Sequence, residues 1–200
     1  MNMHCKAITL KGKHVTLEPL EQHHLTDIQA AAADGELWKL FFTSVPSPEN
    51  TQNWLNIALE MQQQQKAVPF IVRENATGQI VGATRYCNMD MNNKRLEIGY
   101  TWYSQRVQRS PVNTECKLLL LGHAFEEFGC IAVEFRTDWF NRRSQAAIER
   151  LGAKRDAVLR NHMILPDGRI RDTVVYSILN SEWAGVKKNL QYMQTKYEAQ

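Results

Sequence analysis

The side chains best placed to do chemistry lie in the stretch 96–152, where strand, loop and helix patterns follow one another twice. Residues 96–103 are rich in β-forming types and carry one carboxylate, Glu97. Alternation places three apolar side chains on the face opposite this carboxylate, namely Ile98, Tyr100 and Trp102. After a polar loop, Asn113 is of a type that often caps a helix N-terminus. Because unpaired backbone N–H groups and the helix dipole favour negative charge there, we predict that this loop binds an anion.

A second pair of polar side chains opens the next helix. Residues 132–137 form a short β-type run, and Asn141 or Ser144 is expected to begin a helix that stops at Gly152. Beyond it, His162 is a candidate to face a substrate, although a lone strand histidine is more often structural.

Composition and cysteine spacing argue against several classes of protein. The 200 residues, 44% of them hydrophobic, suit one globular domain (1–200) with a core at about 12–183 and a polar tail at about 184–200. The net charge of +3 is mild and the basic residues are dispersed, so nucleic-acid binding is not expected. No apolar run suits a membrane span or a signal peptide, which predicts a cytoplasmic protein. Four cysteines without a CxxC pair are expected to be reduced thiols that hold no metal: Cys5, Cys87, Cys116 and Cys130.

The elements that position these side chains are read from periodicity and turn signals. The predicted strands cover 14–20, 69–74, 79–86, 96–103, 132–137, 154–165 and 173–179. The predicted helices cover about 23–33, the segment from Ser47-Pro48, the two segments after Asn113 and Asn141, and a loose helix in the tail. The turns NATG and PDG indicate hairpins between neighbouring strands.

An aromatic segment precedes the second predicted helix. The sequence ELWKLFFTSVPSP contains Trp38 and Phe41 and is too broken by proline to form a long helix. We expect it either to pack on the core as a lid or to form a wall of a cleft for a second substrate, since binding pockets are lined mostly by apolar and aromatic groups.

Several separate motifs resemble the GCN5-related N-acetyltransferase (GNAT) superfamily, and within it the branch of the ribosomal-protein N-terminal acetyltransferases RimJ and RimL. The motifs, in order, are EIGYTW, NTECKLLLLGHAFEEFG, DWFNRRSQAAIERLGA and VLRNHMILPDGRIRDTVVYSIL. The resemblance covers nearly the whole chain, from HVTLEPL to LNSEW. It implies an α/β (α+β) fold, in which a mixed, mostly antiparallel sheet is splayed in the middle and carries helices on both faces.

The resemblance implies that acetyl-CoA lies in the split, with its pantetheine arm beside strand 96–103 and its pyrophosphate on the loop 106–112 and the following helix. The residues implied at the cofactor are Trp102, Tyr103, Arg106, Val107, Gln108, Arg109, Ser110, Val112, Asn113, Asn141 and Arg143. One departure is that Arg109 and Pro111 occupy places where the superfamily pattern has small residues. Arg109 is expected to compensate as a charged phosphate ligand. The alternative is a degenerate cofactor site.

The resemblance also implies direct attack of an amine on the thioester, which needs a base for the amine and a partner for the departing thiolate. Glu97 is the candidate base; the alternatives are a surface or ion-paired carboxylate, with the proton relayed by water. The tyrosine that many superfamily members use corresponds to Ile148, so Ser144 is the candidate thiolate partner, with helix capping as its alternative. The residues expected at the acceptor are Trp38, Phe41, Arg160 and His162.

These residues together predict an acetyl-CoA-dependent N-acetyltransferase that acts on a primary amine, either a protein N-terminus or a small molecule, in a ternary complex. The alternative is a catalytically weak CoA-binding or regulatory protein on the same scaffold, suggested by Arg109, Pro111 and Ile148. The predicted partners are acetyl-CoA and the amine acceptor, with no nucleic acid and no membrane. The protein is expected to be a monomer or a homodimer.

Overall fold

A computed structural model describes residues 7–198, with side chains as far as residue 196. The strands are β1 (Leu10–Lys11), β2 (Val15–Pro19), β3 (Ala67–Glu74), β4 (Ile80–Asp90), β5 (Arg95–Tyr103), β6 (Ala132–Asp138), β7 (Lys154–Ile164) and β8 (Ile170–Leu179). The helices are α1 (Leu25–Ala33), α2 (Thr51–Gln63), α3 (Val112–Gly122), α4 (Arg142–Glu149) and α5 (Trp183–Glu198). A π-helical turn at His123–Glu127 extends α3.

The eight strands form one sheet in the order β1-β2-β3-β4-β5-β6-β8-β7. Neighbouring strands are antiparallel except β5 and β6, which run parallel. The pairing of β5 with β6 ends where Glu97 lies opposite Glu134, so β5 from Ile98 onward is not paired with β6. The predicted mixed, mostly antiparallel sheet is confirmed, and the place where it opens lies beside the predicted base.

Helices cover the two faces of the sheet with separate apolar clusters. The larger cluster includes Leu120 of α3, Ile148 of α4 and Leu190 of α5. The smaller cluster includes Ile28 of α1 and Leu55 of α2, and these two helices pack mainly on β4 and β3. Apolar side chains of β6 point into the larger cluster, so its alternate polar residues lie on the face that carries α1 and α2.

A bulge in β5 changes the predicted face of two aromatic residues. One residue of β4, Thr84, opposes two residues of β5, so strict alternation fails between Ile98 and Trp102. Ile98 lies in the larger cluster and Trp102 in the smaller one. Tyr100, with a φ of 53°, also lies on the α2 side. The prediction that these three residues share a face opposite Glu97 is therefore wrong.

The N-terminus of α3 lies earlier than predicted. Pro111 is the N-cap residue, so the prediction that Asn113 caps this helix is wrong. The Ser110 hydroxyl accepts a hydrogen bond from Val112 N at 3.3 Å and donates one to Val107 O at 2.6 Å, which ties the loop to the first turn. Asn113 lies inside the first turn, where backbone N–H groups have no intrahelical partner.

Residues 184–198, which belong to the predicted polar tail with a loose helix, form most of α5. Val186 and Leu190 are buried in the larger cluster, where α5 packs against α3. The apolar residues of this helix that face the core are widely spaced among polar residues. The sequence therefore has a polar composition, which is why a tail was predicted.

The described cysteines are apolar contacts of the core. Cys87, Cys116 and Cys130 are buried and form no disulfide, whereas Cys5 lies outside the described residues. Burial raises the pKa of each thiol, to about 12 for Cys116 and about 11 for Cys130. Within residues 7–198, no group of three or more His, Cys, Asp or Glu residues could hold a metal ion. In the same range no helix is both long enough and apolar enough to cross a membrane.

Lys117 is a charged residue buried between α3 and the sheet. Its Nζ donates a hydrogen bond to Thr101 Oγ1 at 2.9 Å and lies 5.8 Å from the ring centroid of Phe135. Among the described contacts it has no carboxylate partner, and burial lowers the pKa of its ammonium group to about 8. The unfolded chain therefore binds this proton more tightly than the folded protein, so this group makes folding more favourable as pH rises from about 8 to 10.5.

We expect Lys117→Met to raise the free energy of unfolding at pH 7, because an unpaired buried ammonium is replaced by an apolar side chain of similar length. The gain should shrink above pH 8 by up to about 1 kcal/mol per pH unit, because the wild-type lysine then loses its proton. Urea unfolding at several pH values measures both effects. Lys188→Met, at an exposed position of α5, is the control. A gain that does not change with pH would contradict this account.

Candidate active site

Glu97 lies at the point where β5 and β6 separate, opposite Glu134. The residue is 7% exposed, and its Oε2 accepts a hydrogen bond from Asn88 Nδ2 at 2.8 Å. The Nε of Arg136 lies 3.5 Å from the same oxygen. Burial raises the pKa of Glu97, against the lowering effects of Asn88 and Arg136. A buried carboxylate with a raised pKa has the properties of a general base.

Gly99 provides the space that the carboxylate of Glu97 occupies. A Cβ atom on Gly99 would lie 2.9 Å from Glu97 Oε1 and 3.3 Å from Cys87 Sγ. A larger residue at this position would therefore displace the carboxylate from its present position. The local sequence Glu-Ile-Gly thus combines the acidic group with the small residue that positions it.

The loop between β5 and α3 has the backbone conformation of a glycine-containing loop. Arg109 takes a φ of 64°, in the left-handed region that glycine favours. Its side chain is exposed and makes no contact among those described. Within the described residues, no group accepts a hydrogen bond from the backbone N–H of Asn113 or Thr114 at the start of α3. An exposed guanidinium beside unpaired N–H groups at a helix N-terminus fits a pyrophosphate.

Other predicted cofactor residues of this loop are engaged within the protein. The side chain of Arg106 turns to the β3–β4 hairpin, where its Nη1 forms an ion pair with Glu74 at 2.7 Å. Val107 and Val112 are buried in the larger cluster, and the Ser110 hydroxyl is used within the loop. The Arg106 side chain therefore lies away from the start of α3. The two valines could contact a ligand only through their backbone groups.

The N-terminus of α4 faces this loop. Asn141 is its N-cap, and the Asn141 Oδ1 accepts a hydrogen bond from Ser144 N at 3.0 Å. The Ser144 hydroxyl makes no described contact, so it is Asn141 and not Ser144 that caps the helix. Arg143 donates a hydrogen bond to Gln108 Oε1, and Gln108 Nε2 donates one to Tyr103 O at 3.3 Å. These contacts join α4, the loop and the end of β5.

The side chains of the two predicted cofactor residues at the end of β5 point into the protein. The ring of Trp102 packs in the smaller cluster, with its centroid 6.1 Å from that of Trp54. The hydroxyl of Tyr103 is buried. A ligand in the split could therefore contact the backbone groups of these two residues but not their side chains.

Two predicted acceptor residues lie in the segment between α1 and α2. Phe41 is exposed, and its ring centroid lies 4.9 Å from Arg169 Cζ and 6.0 Å from the ring of Phe140. It thus reaches the carboxyl end of β6. Trp38 is half-buried in the 3-10 turn Leu37–Lys39.

The other two predicted acceptor residues lie on β7. Three residues of β7 oppose Asp172 alone, because the strand pairing shifts between Leu159 and Met163. Within this bulge Arg160 Nε donates a hydrogen bond to Asp172 Oδ2 at 2.6 Å, and His162 Nδ1 lies 3.0 Å from Thr173 Oγ1. Asp172 therefore shapes the segment that carries both candidate side chains.

The sequence analysis missed a group of basic residues on the α2 side of the split, namely Arg85, Arg136, Arg169 and Arg171. Arg85 of β4 is 1% exposed, and its Cζ lies 4.4 Å from the ring centroid of Tyr100 and 4.8 Å from that of Trp54. No carboxylate is among its described contacts, and burial lowers its pKa to about 10. The available signal was a charged residue inside the apolar strand sequence IVGATRYC.

Arg169 and Arg171 both lie close to the carboxylate of Asp138, at the end of β6. Arg169 Nη2 donates a hydrogen bond to Asp138 Oδ2 at 2.7 Å, and Arg171 Nε lies 3.9 Å from the same oxygen. The charge of Arg171 lowers the pKa of both Glu97 and Tyr100. Burial lowers the pKa of Arg171 itself.

Comparison with known proteins identifies the class to which this arrangement belongs. The arrangement combines a buried carboxylate where the sheet splits, an open strand edge and unpaired N–H groups at a helix N-terminus. Residues 14–154 match the acetyltransferase (GNAT) domain family, and the chain belongs to that family. The predicted superfamily is thereby confirmed.

Particular relatives support the predicted RimJ/RimL-like branch. The chain is 29% identical to the Bacillus subtilis protein named "Putative ribosomal N-acetyltransferase YdaF", over 88% of this chain and 97% of that protein. It is 35% identical to a "putative acetyltransferase" of known crystal structure from T. thermophilus, with a TM-score of 0.84 and coverage of 96% and 99%. Mycobacterium smegmatis RimJ, in complex with CoA-disulfide, shares the fold at 16% identity, with a TM-score of 0.79 and coverage of 96% and 97%.

We expect Arg109→Ala to weaken CoA binding, because it removes the exposed cation beside the unpaired N–H groups of α3. A ligand that binds only the folded form raises the melting temperature, so we expect CoA to raise that of the wild-type protein and to raise that of Arg109→Ala less. The difference between the two proteins should be larger at low salt. Arg106→Ala is the matched control, because that side chain is paired with Glu74. Equal shifts in Arg109→Ala and wild type would remove Arg109 from the site.

Proposed function

We propose that the protein is an N-acetyltransferase that transfers an acetyl group from acetyl-CoA directly to a primary amine in a ternary complex. The single observation that carries the proposal is the buried carboxylate of Glu97, with its raised pKa, at the point where the sheet splits. A cofactor with a long flexible arm and a reactive end fits this split, because the edge of β5 is open beside the base.

The binding of acetyl-CoA is supported by the loop and by two helix N-termini. The guanidinium of Arg109 and the N–H groups of Asn113 and Thr114 would hold the pyrophosphate. The backbone edge of β5 would pair with the pantetheine arm as an added strand does, with Asn141 at the start of α4 beside it. The proposal that CoA binds here is also supported by M. smegmatis RimJ, a protein of the same fold whose structure is a complex with CoA-disulfide.

The proposed reaction moves one acetyl group and one proton. The acceptor reacts as the neutral amine: its nitrogen attacks the carbonyl carbon of the thioester, and the carboxylate of Glu97 takes one of the two protons that this nitrogen carries. The C–S bond then breaks, and its electron pair leaves with the sulfur. The hydroxyl of Ser144 donates a hydrogen bond to the departing thiolate, which solvent later protonates. A raised pKa suits Glu97 to this exchange near neutral pH.

The acceptor is proposed to be a primary amine of a protein N-terminus or of a small molecule. The name of the YdaF relative supports the protein N-terminus. Within the site, the exposed ring of Phe41 and the half-buried Trp38 would form one wall for the acceptor. Arg160 and His162 on β7 would lie further along the same acceptor region.

Release of free thiol from acetyl-CoA, followed with a panel of peptides, amino acids, polyamines and aminoglycosides, tests the proposal. We expect release that depends on both acetyl-CoA and one class of amine. Tight CoA binding without thiol release for any amine would instead support a CoA-binding regulatory protein. Two observations favour that second function: Pro111 lacks an N–H at the phosphate loop, and Ile148 replaces the tyrosine of other superfamily members.

A further inference from the structure

The cleft beside Glu97 contains more positive than negative charge. Four guanidinium groups line it on the α2 side, those of Arg85, Arg136, Arg169 and Arg171. Three carboxylates face them, those of Glu97, Glu134 and Asp138. Each of the four arginines keeps at least one buried N–H that has no hydrogen-bond partner within the described residues. Buried charged donors are costly to leave unpaired, so this cluster indicates a missing acceptor group.

Two of the four arginines have no carboxylate within hydrogen-bond distance, namely Arg85 and Arg171. Arg85 packs against the Tyr100 ring and has no carboxylate among its described contacts. The only described carboxylate contact of Arg171 is at 3.9 Å, and its charge lowers the pKa of both Glu97 and Tyr100. That carboxylate, Asp138, already accepts a hydrogen bond of 2.7 Å from Arg169. Tyr100 itself is 42% exposed.

We propose that this cluster binds a carboxylate of the acceptor close to the amine that Glu97 deprotonates, with Arg171 as the direct ligand and Arg85 as a second positive charge beneath Tyr100. The inference rests on the proposed function and specifies its substrate class. An acceptor that carried only an ammonium would bring a further cation to a positively charged cleft, which is unfavourable. A substrate with a carboxylate next to its amine offsets the charge of its own ammonium group and that of the arginines. The carboxylate also accepts the hydrogen bonds that the arginines do not make within the protein.

Two sources supply this chemistry, and binding measurements distinguish them. Three peptides with a free N-terminus, which differ only in Glu, Gln or Lys at the second position, test an acidic side chain. An amino acid and its amide test a carboxylate on the carbon that bears the amine. Calorimetric titration into protein saturated with CoA should show about tenfold tighter binding of the acidic member of at least one pair, the usual scale for one charge-assisted hydrogen bond. The preference should fall as salt is added.

Variants of Arg171 locate the subsite. Arg171→Gln should abolish the preference while the affinity for the neutral partner changes by less than about twofold, and Arg171→Glu should favour the Lys peptide. Lys188→Gln on α5 makes the same charge change at an exposed position and should keep the preference. If an Arg171 variant does not fold, the salt dependence of the wild-type preference decides between an ionic subsite and none.

Two results would overturn the inference. One is equal affinity within both the peptide set and the amino-acid pair; the other is an intact preference in folded Arg171→Gln. Thiol release from the same acceptors reports separately on the proposed function. Selective binding of the acidic acceptors without thiol release would contradict acetyl transfer and support the subsite. Thiol release without any preference for acidic acceptors would support acetyl transfer and contradict the subsite.

Discussion

Glu97→Gln should lower kcat/KM for acetyl transfer by about 10²-fold or more, the usual scale of a general-base contribution. The amide keeps the shape of the side chain and its contact with Asn88, but it cannot take a proton from the amine. Since burial raises the pKa of Glu97, the acidic limb of the wild-type pH–rate profile should lie above the usual carboxylate range, and this limb should disappear in the variant. Steady-state kinetics between pH 5 and about 9 measure both effects.

A neighbouring carboxylate supplies the control for this experiment. Glu134 pairs with Glu97 across the parallel strands and is bound by arginine side chains. Glu134→Gln should therefore keep the acidic limb but move it to lower pH, because the charge of Glu134 raises the pKa of Glu97. Acetyl-CoA affinity should hardly change in Glu97→Gln, because the carboxylate faces the amine. Full activity with an unchanged pH profile in Glu97→Gln would contradict the role of Glu97, and ordered water would then have to carry the proton.

Ser144→Ala should lower kcat by about 10-fold to 10²-fold while CoA affinity stays close to that of the wild type. The reason is that the hydrogen bond to sulfur matters mainly as the thiolate departs, so its loss affects the transition state more than the bound substrate. Because the Ser144 hydroxyl has no described partner, its removal should change stability little. Single-turnover kinetics with saturating acetyl-CoA measure the effect on the chemical step.

Asn141→Ala provides the matched comparison on the same helix. It removes the N-cap oxygen that accepts from Ser144 N, and it should lower the free energy of unfolding by about 1 kcal/mol. If Ser144→Ala instead lost stability as Asn141→Ala does and kept its turnover, a structural role at the start of α4 would replace the proposed catalytic one.

Periodicity and turn residues predicted most of the strands and helices, whereas the split, mixed sheet was predicted from the family resemblance. Residues 132–137 were predicted as a strand and lie within β6, and Asn141 was one of two predicted starts for α4, which it caps. The bulge at Tyr100 was not predictable in the same way, because the sequence pattern of β5 does not show where one extra residue interrupts the alternation of faces. It moved Tyr100 and Trp102 to the other face.

The candidate site was less predictable because it depends on contacts distant in sequence. Arg106 was expected at the cofactor, but its partner is Glu74, on a hairpin 32 residues away. Arg85 carried no local signal beyond its charge, and its position became informative only when Trp54 and Tyr100 were found on its two sides. For Arg109 the structure adds a backbone observation, since its positive φ preserves the loop conformation that glycine would otherwise provide.

Direct transfer from acetyl-CoA to an amine is tested most directly by rapid mixing with isotopically labelled acetyl-CoA, with and without an acceptor peptide. The account predicts no burst of thiol and no labelled protein when the acceptor is absent. With the acceptor, it predicts one labelled acetyl group on the peptide's N-terminal amine for each thiol released, and little of either product in Glu97→Gln. A stoichiometric thiol burst that leaves label on the protein, or thiol release without an acetylated amine, would contradict it.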